Sequence, residues 1–319
     1  MSFRKILLLL TSCFFFHCSY ATEPAISIST LKFGTVNWTL DTIKRYQLDT
    51  KNGFELDIQS VASTQASKVA LLAGSANIIV SDWTWVARQR ANRIKLSFQP
   101  YSSSAGALIV PHDSPIKSID GLVGKRIGIA GGALDKNWLL LRALAKRNNL
   151  DLTSTNKTFG APPLLNQQIK LGRVDALITY WHYAARLEAQ GYRKLLTAHD
   201  MLKQLGIKQT LPILGYVFNE HWANQHKTSL LAFLKASQQA ANLLCHSNES
   251  WQAIIPLTRT TDPRTLLALR KGYCDGRIKS WELSERQSIQ SMFAILMSSS
   301  GDKLLGNTSN LDSKIFWEQ

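Results

Sequence analysis

Two stretches of this chain carry the same order of elements at the same spacing, and that repeat restricts the fold more than any other feature. In the first, Leu31 to Val36 reads as a strand, Thr39 to Leu48 as a helix, and Asn52-Gly53 as a turn. Glu55 to Val61 alternates as a strand does. A helix opens near Thr64, with Ala66, Val69, Ala70 and Ala73 at helical spacing, and Gly74 is placed to end it. Ile78 to Val80 is a buried strand running into Ser81-Asp82-Trp83. In the second stretch, Arg126 to Ala130 is a strand, Gly131-Gly132 a tight loop and Asp135 to Arg147 a helix. Thr155 to Phe159 follows as a strand, and Pro163 suits the first turn of a helix that stops at Gly172. Val174 to Ile178 then runs into Thr179-Tyr180-Trp181. Trp83 lies nine residues after Gly74, and Trp181 nine after Gly172.

Each stretch reads βαβαβ, which demands parallel strands joined by right-handed crossovers and so an α/β fold. Ala105 to Pro111 reads as the passage from one unit to the next, with Leu108 to Val110 a strand. Pro212 to Phe218 reads as the return. The chain from about Glu220 is largely helical: Leu230 to Leu244, a helix starting at the cap Asp262-Pro263, and Leu283 to Met297.

The N-terminus has the secretory pattern: Arg4 and Lys5, a short apolar run from Ile6 to Phe16, and small residues at Ser19 and Ala21. Residues 1–21 are therefore expected to be a signal peptide, with a lipid anchor at Cys13 as the lesser alternative. Either way the protein is expected in the periplasm. Removing residues 1–21 leaves Cys245 and Cys274, which fit one disulfide or two buried thiols equally. The formal charge of +15 becomes +13 without Arg4 and Lys5. Export and the dispersal of the basic residues argue against nucleic acid as the partner.

In open α/β sheets ligands sit outside the carboxyl ends of the strands. That rule selects Trp38, Asp82 and Trp83 in the first unit, and Gly132, Ala133, Tyr180 and Trp181 in the second. Ser103 joins them from the passage between units. The Gly131-Gly132-Ala133 loop ahead of a helix suits an anionic head. Asp135 opposes that, because a capping carboxylate occupies the same amides and repels an anion. Aromatic residues at Trp38, Trp83, Tyr180 and Trp181 favour a planar or cationic heterocycle. Trp85 and Trp138 read as core, and Asp175 as structural.

At Val69 to Gly74, Asp113 to Gly128 and Gly172 to Leu177 the chain resembles the NMT1/THI5-like solute-binding proteins. The resemblance spans roughly Leu31 to Trp222. It implies a type II periplasmic-binding-protein clamshell, each lobe a mostly parallel sheet flanked by helices, with two hinge crossovers. Lobe 1 is expected over 22–107 plus 217–319 and lobe 2 over 108–216. The family includes binding proteins for aliphatic sulfonates, taurine, nitrate-like solutes and thiamine-pyrimidine precursors. It therefore implies a monomeric binding component of an ABC importer, partnered by an inner-membrane permease and its ATPase. The expected ligand is a thiamine-pyrimidine-like heterocycle, a sulfonate or a related nitrogen or sulfur compound.

Two other classes stand against this. An exported ligand sensor uses the same lobes but needs a separate signalling partner. An enzyme is not expected. Fungal pyrimidine synthases of the family carry a cysteine-rich motif that this chain lacks. There is no G-x-S-x-G elbow and no H-E-x-x-H helix. The histidines His182, His199, His221, His226 and His246 show no ligand spacing, so neither a cofactor nor a metal is expected.

Overall fold

The protein is described by a computed structural model covering residues 24–300, 304 and 310–318. The expected signal peptide, with Cys13 and Cys18, lies outside the described residues. The chain opens with β1 (Ala25–Leu31), α1 (Val36–Arg45), α2 (Leu48–Lys51), β2 (Glu55–Val61), α3 (Thr64–Leu72), β3 (Ile78–Asp82), α4 (Trp83–Ala91) and β4 (Leu96–Ser102). It continues with β5 (Gly106–Val110), β6 (Arg126–Ala130), α5 (Lys136–Arg147), β7 (Asn156–Gly160), α6 (Pro162–Lys170), β8 (Ala176–Tyr180), α7 (Trp181–Ala189), β9 (Arg193–Thr197) and α8 (Ala198–Gln204). It then returns through β10 (Leu214–Asn219). Among the described residues it goes on through α9 (Glu220–Gln225), α10 (Lys227–His246), α11 (Asn248–Ala253), α12 (Ile255–Thr258), α13 (Pro263–Asp275) and α14 (Leu283–Ser300).

The strands form two five-stranded sheets of matching order, β2-β1-β3-β10-β4 and β7-β6-β8-β5-β9. In each, the three strands of the βαβαβ unit pair in parallel. The fourth strand runs antiparallel to both its neighbours. That strand is the first one laid down after the chain changes sheets: β5 on the way out, β10 on the way back. Two passages therefore join the sheets, one between Ser102 and Gly106, the other between Thr197 and Leu214. This is the expected α/β clamshell architecture.

The first strand lies earlier than the sequence suggested. Ile26 and Ile28 are buried and pair with β2, whereas Lys32 and Phe33 are exposed and Leu31 to Val36 is mostly turn. Asn37 ends the strand by donating its side-chain amide to the Leu31 carbonyl at 2.8 Å. Serines alternate with the two isoleucines in β1, which dilutes the apolar signal. Ser29 and Thr30 are nonetheless buried. The strands β4 and β9 were not expected at all. Both are edge strands, and β4 contains Pro100, which only an edge tolerates.

Packing follows the sheets. The helix α3 lies on β1 and β3, and α4 lies on β3, β4 and β10. One apolar cluster joins Trp83, Trp85 and Val86 of α4 to Trp138, Leu141 and Leu144 of α5, and to Ile289, Met292 and Phe293 of α14. The helix α14 packs directly on α5, so the last long helix of the chain braces the second lobe. Trp85 and Trp138 are core, as the sequence indicated. Asp175 accepts from the Arg126 backbone amide at 2.8 Å and pairs with its guanidinium at 2.6 Å.

Cys245 and Cys274 are disulfide-bonded, tying the end of α10 to the end of α13 across a separation of 29 residues. A loop of that size stabilises by about 3–4 kcal/mol in the chain-entropy view. Urea unfolding of a Cys245→Ser/Cys274→Ser variant should show a lower midpoint by roughly that free energy. An unchanged midpoint would mean that α10 and α13 are held by packing alone.

Candidate functional site

The two lobes meet at the ends of their parallel strands, and each end delivers a polar group. Asp82 is the last residue of β3 and caps α4, accepting from the Trp85 amide at 3.0 Å and from the Thr84 hydroxyl. Tyr180 is the last residue of β8 and precedes α7. After β6, Gly131 takes φ +86, and a Cβ there would sit 2.7 Å from the Tyr180 hydroxyl, so only glycine fits. Asp135 then caps α5 by accepting from the Asn137 and Trp138 amides at 2.9 and 3.1 Å.

Lys136 reaches across from α5 to Asp82, Nζ to Oδ2 at 3.3 Å, with less than a fifth of either side chain exposed. Lys68 on α3 contributes a second positive charge to Asp82 and stacks its ammonium 4.9 Å from the Trp85 ring centroid. Burial acts to raise the Asp82 carboxyl. Lys136, the Thr84 hydroxyl, Lys68 and the Trp85 amide together outweigh it and bring the group down to about 2. Burial pulls the Lys68 ammonium below its ordinary value. Asp135 is pushed up by burial despite Lys136 and its two amides. Tyr180 is pushed up to about 12 by burial and by the charges of Asp135 and Asp82, so it is a neutral donor. Two carboxyls, two ammonium groups and a phenol thus share one contact zone.

The expected site residues separate into groups. Asp82, Tyr180 and the Gly131-Gly132-Ala133 loop come together in this zone. Gly132 takes φ +94 and accepts from the Asp135 amide at 3.0 Å, and Ala133 is exposed. The helix-start amides of α5 are occupied by Asp135, as its position suggested, so they are closed to an anion. Trp181 meets Trp38 across the lobes, ring centroids 6.2 Å apart and edge-on, rather than Trp83. Trp38 also contacts Trp251 and Tyr273. Trp83 is fully buried in the core cluster, and its indole N–H has no acceptor in the protein. Ser103 holds the passage: its amide and hydroxyl both donate to the Gly276 carbonyl, at 2.8 and 3.1 Å. His182, beside Trp181, is brought down to about 4 by burial and by Arg186, so it is neutral.

Lys136 and Lys68 were missed. Lys136 had a readable signal: a cation in the first turn of a helix opposes the helix dipole unless something compensates it. Lys68 had none, because its partner comes from another element. Among the described residues no group of three His, Cys, Asp or Glu is placed to hold a metal ion.

The family model described as NMT1/THI5 like matches residues 50–249. No curated protein sequence matches the chain. Solved structures do. The periplasmic aliphatic sulphonate binding protein SsuA from Escherichia coli superposes with a TM-score of 0.74 at 17% identity, covering 92% of each chain. The alkanesulfonate-binding protein SsuA from Xanthomonas axonopodis pv. citri, bound to MOPS, gives 0.69 at 16% identity over 94% of this chain and 100% of that one. An ABC transporter protein from Parabacteroides distasonis gives 0.67 at 15% identity over 93% and 99%. At these identities the likeness is one of fold.

The depressed Asp82 carboxyl has a pH consequence. Its folded value lies below the unfolded 3.8, so its stabilisation is complete above about pH 4 and is lost as pH falls through about 2. Wild type should lose on the order of 2 kcal/mol more than Asp82→Asn between pH 4 and 2. Urea titrations at both pH values measure this; identical pH dependence would show that the partners of Asp82 do no more than offset its burial.

Proposed function

Because the chain belongs to the NMT1/THI5-like family, we propose that it is a periplasmic solute-binding protein that captures a small organic solute between its lobes. It then presents the closed form to an inner-membrane permease with its ATPase. The observation that carries this reading is the meeting of Asp82 and Lys136 across the lobe junction, at the carboxyl ends of two parallel strand sets. Ligands bind at such ends in open α/β sheets, and a contact made only between lobes is one that closure makes and opening breaks. Tyr180 supplies the neutral donor and Trp181 the aromatic surface of the site, with Trp38 buried behind Trp181. Ser103 and the 132–133 loop flank it. The solved relatives from Escherichia coli and Xanthomonas axonopodis, which bind sulphonates, support a role in solute capture.

The solute class is a thiamine-pyrimidine-like heterocycle, a sulfonate or a related nitrogen or sulfur compound. Occupation of the α5 amides by Asp135 favours a solute carrying a cationic or neutral polar group over a bare anion. Catalysis is not part of the proposal.

Thermal shift and tryptophan fluorescence against sulfonates, hydroxymethylpyrimidines, thiamine, amines and carboxylates test the reading. A solute at a hundred times its Kd should stabilise the mature protein by about 2.7 kcal/mol. Its fluorescence response should fall in Trp181→Phe. No response from folded, ligand-stripped protein to any class would turn the argument toward an exported sensor of some other signal.

A further inference from the structure

Beside the hinge lies a cavity of about 520 Å³ that shares Trp181 with the lobe junction. Its lining comes mainly from the first lobe: the end of β4, the start of β10, α10 and the residues after α13, with Trp181 reaching in from the second lobe. Neither Asp82 nor Lys136 borders it. That volume is in the range of a small-molecule site.

Its chemistry is one-sided. Tyr101, Trp181, Tyr273 and Trp281 give it aromatic walls, and Lys235 and Arg277 are its charged residues. No aspartate or glutamate lines it. Among the described residues neither Lys235 nor Arg277 is in an ion pair. Arg277 is instead oriented by donating to the Asn242 side-chain oxygen. The tyrosines add no negative charge. Burial holds both the Tyr101 and Tyr273 hydroxyls above the ordinary phenol value, and each bonds Thr39 Oγ1, at 2.8 and 2.7 Å. Flat aromatic walls and two cations in no ion pair together describe a receptor for a planar organic anion.

We propose that this hinge-side cavity is a binding site for a small aromatic anion, adjoining the solute site at the lobe junction and sharing Trp181 with it, but built without Asp82, Lys136 or Tyr180. The ring stacks among Tyr101, Trp181 and Tyr273, and the anionic group meets Arg277 and Lys235. Because Trp181 belongs to one lobe and the other two rings to the other, an occupant touches both lobes at the hinge. The proposal stands whatever solute the junction takes.

The test uses 2-naphthoate as the probe, with 2-naphthylmethylamine as its cationic counterpart, followed by tryptophan quenching and calorimetry on the full mature chain. A Lys235→Gln/Arg277→Gln variant removes the two charges. A Lys125→Gln/Lys208→Gln variant removes two exposed charges elsewhere and controls for net charge. Far-UV circular dichroism checks that each is folded. The expected result is binding of 2-naphthoate by wild type and control, at least fivefold weaker in Lys235→Gln/Arg277→Gln, with the amine bound no better than that variant binds naphthoate. No binding of naphthoate up to millimolar concentration, a loss smaller than fivefold, or equal binding of the amine would overturn the proposal.

Discussion

Each sheet borrows the direction of one strand from the passage between lobes, and the rest of the molecule depends on that arrangement. After three parallel strands the chain crosses over and enters the next sheet antiparallel, through β5, and it returns antiparallel through β10. Because the same thing happens at the same place in both sheets, the two passages run side by side. The carboxyl ends of both parallel sets are then held at one junction. Asp82 and Lys136 meet because of this topology, since nothing in the local sequence around either residue requires the other.

The hinge is held by a helix as well as by the two passages. Ser103 and Ser104 donate to the carbonyls of Gly276 and Gly272 at the end of α13. A Cβ at Gly272 would lie 2.8 Å from the Trp181 ring, so the helix approaches both the passage and the second lobe more closely than any other residue there would allow. The disulfide fixes that same end of α13 to α10. The helix α13 is therefore anchored in one lobe while its surface packs on α7 of the other.

How much of this was legible depended on whether the cause was local. The repeat was readable because β2, β3, β6 and β8 are apolar or alternating runs closed by glycines and caps. Asp135 was readable as a cap because a helix start is a local event. The first strand was misplaced because its alternation is written in serine and threonine, whose burial only neighbouring strands reveal. The edge strands β4 and β9 escaped because Pro100 interrupts one and the other opens on Arg193 and Lys194. Trp83 and Trp181 share a spacing, yet one is sealed in the core and the other meets Trp38. Spacing fixed their positions on the strands, and tertiary packing decided what each side chain touches. The hinge-side cavity was invisible, since its named aromatic and basic residues come from β4, α7, α10, α13 and the segment after α13.

The order of the strands along the chain also bears on how the molecule can be made. The second sheet, β5 to β9, uses one unbroken stretch, residues 106–197. The first sheet has β10 between β3 and β4, and β10 follows every strand of the second. A chain emerging from its N-terminus therefore holds β3 and β4 without the strand that must separate them until the other lobe has been delivered. The lobe begun first is the lobe finished last, and until then two incomplete edges must be kept from pairing with each other or with another chain.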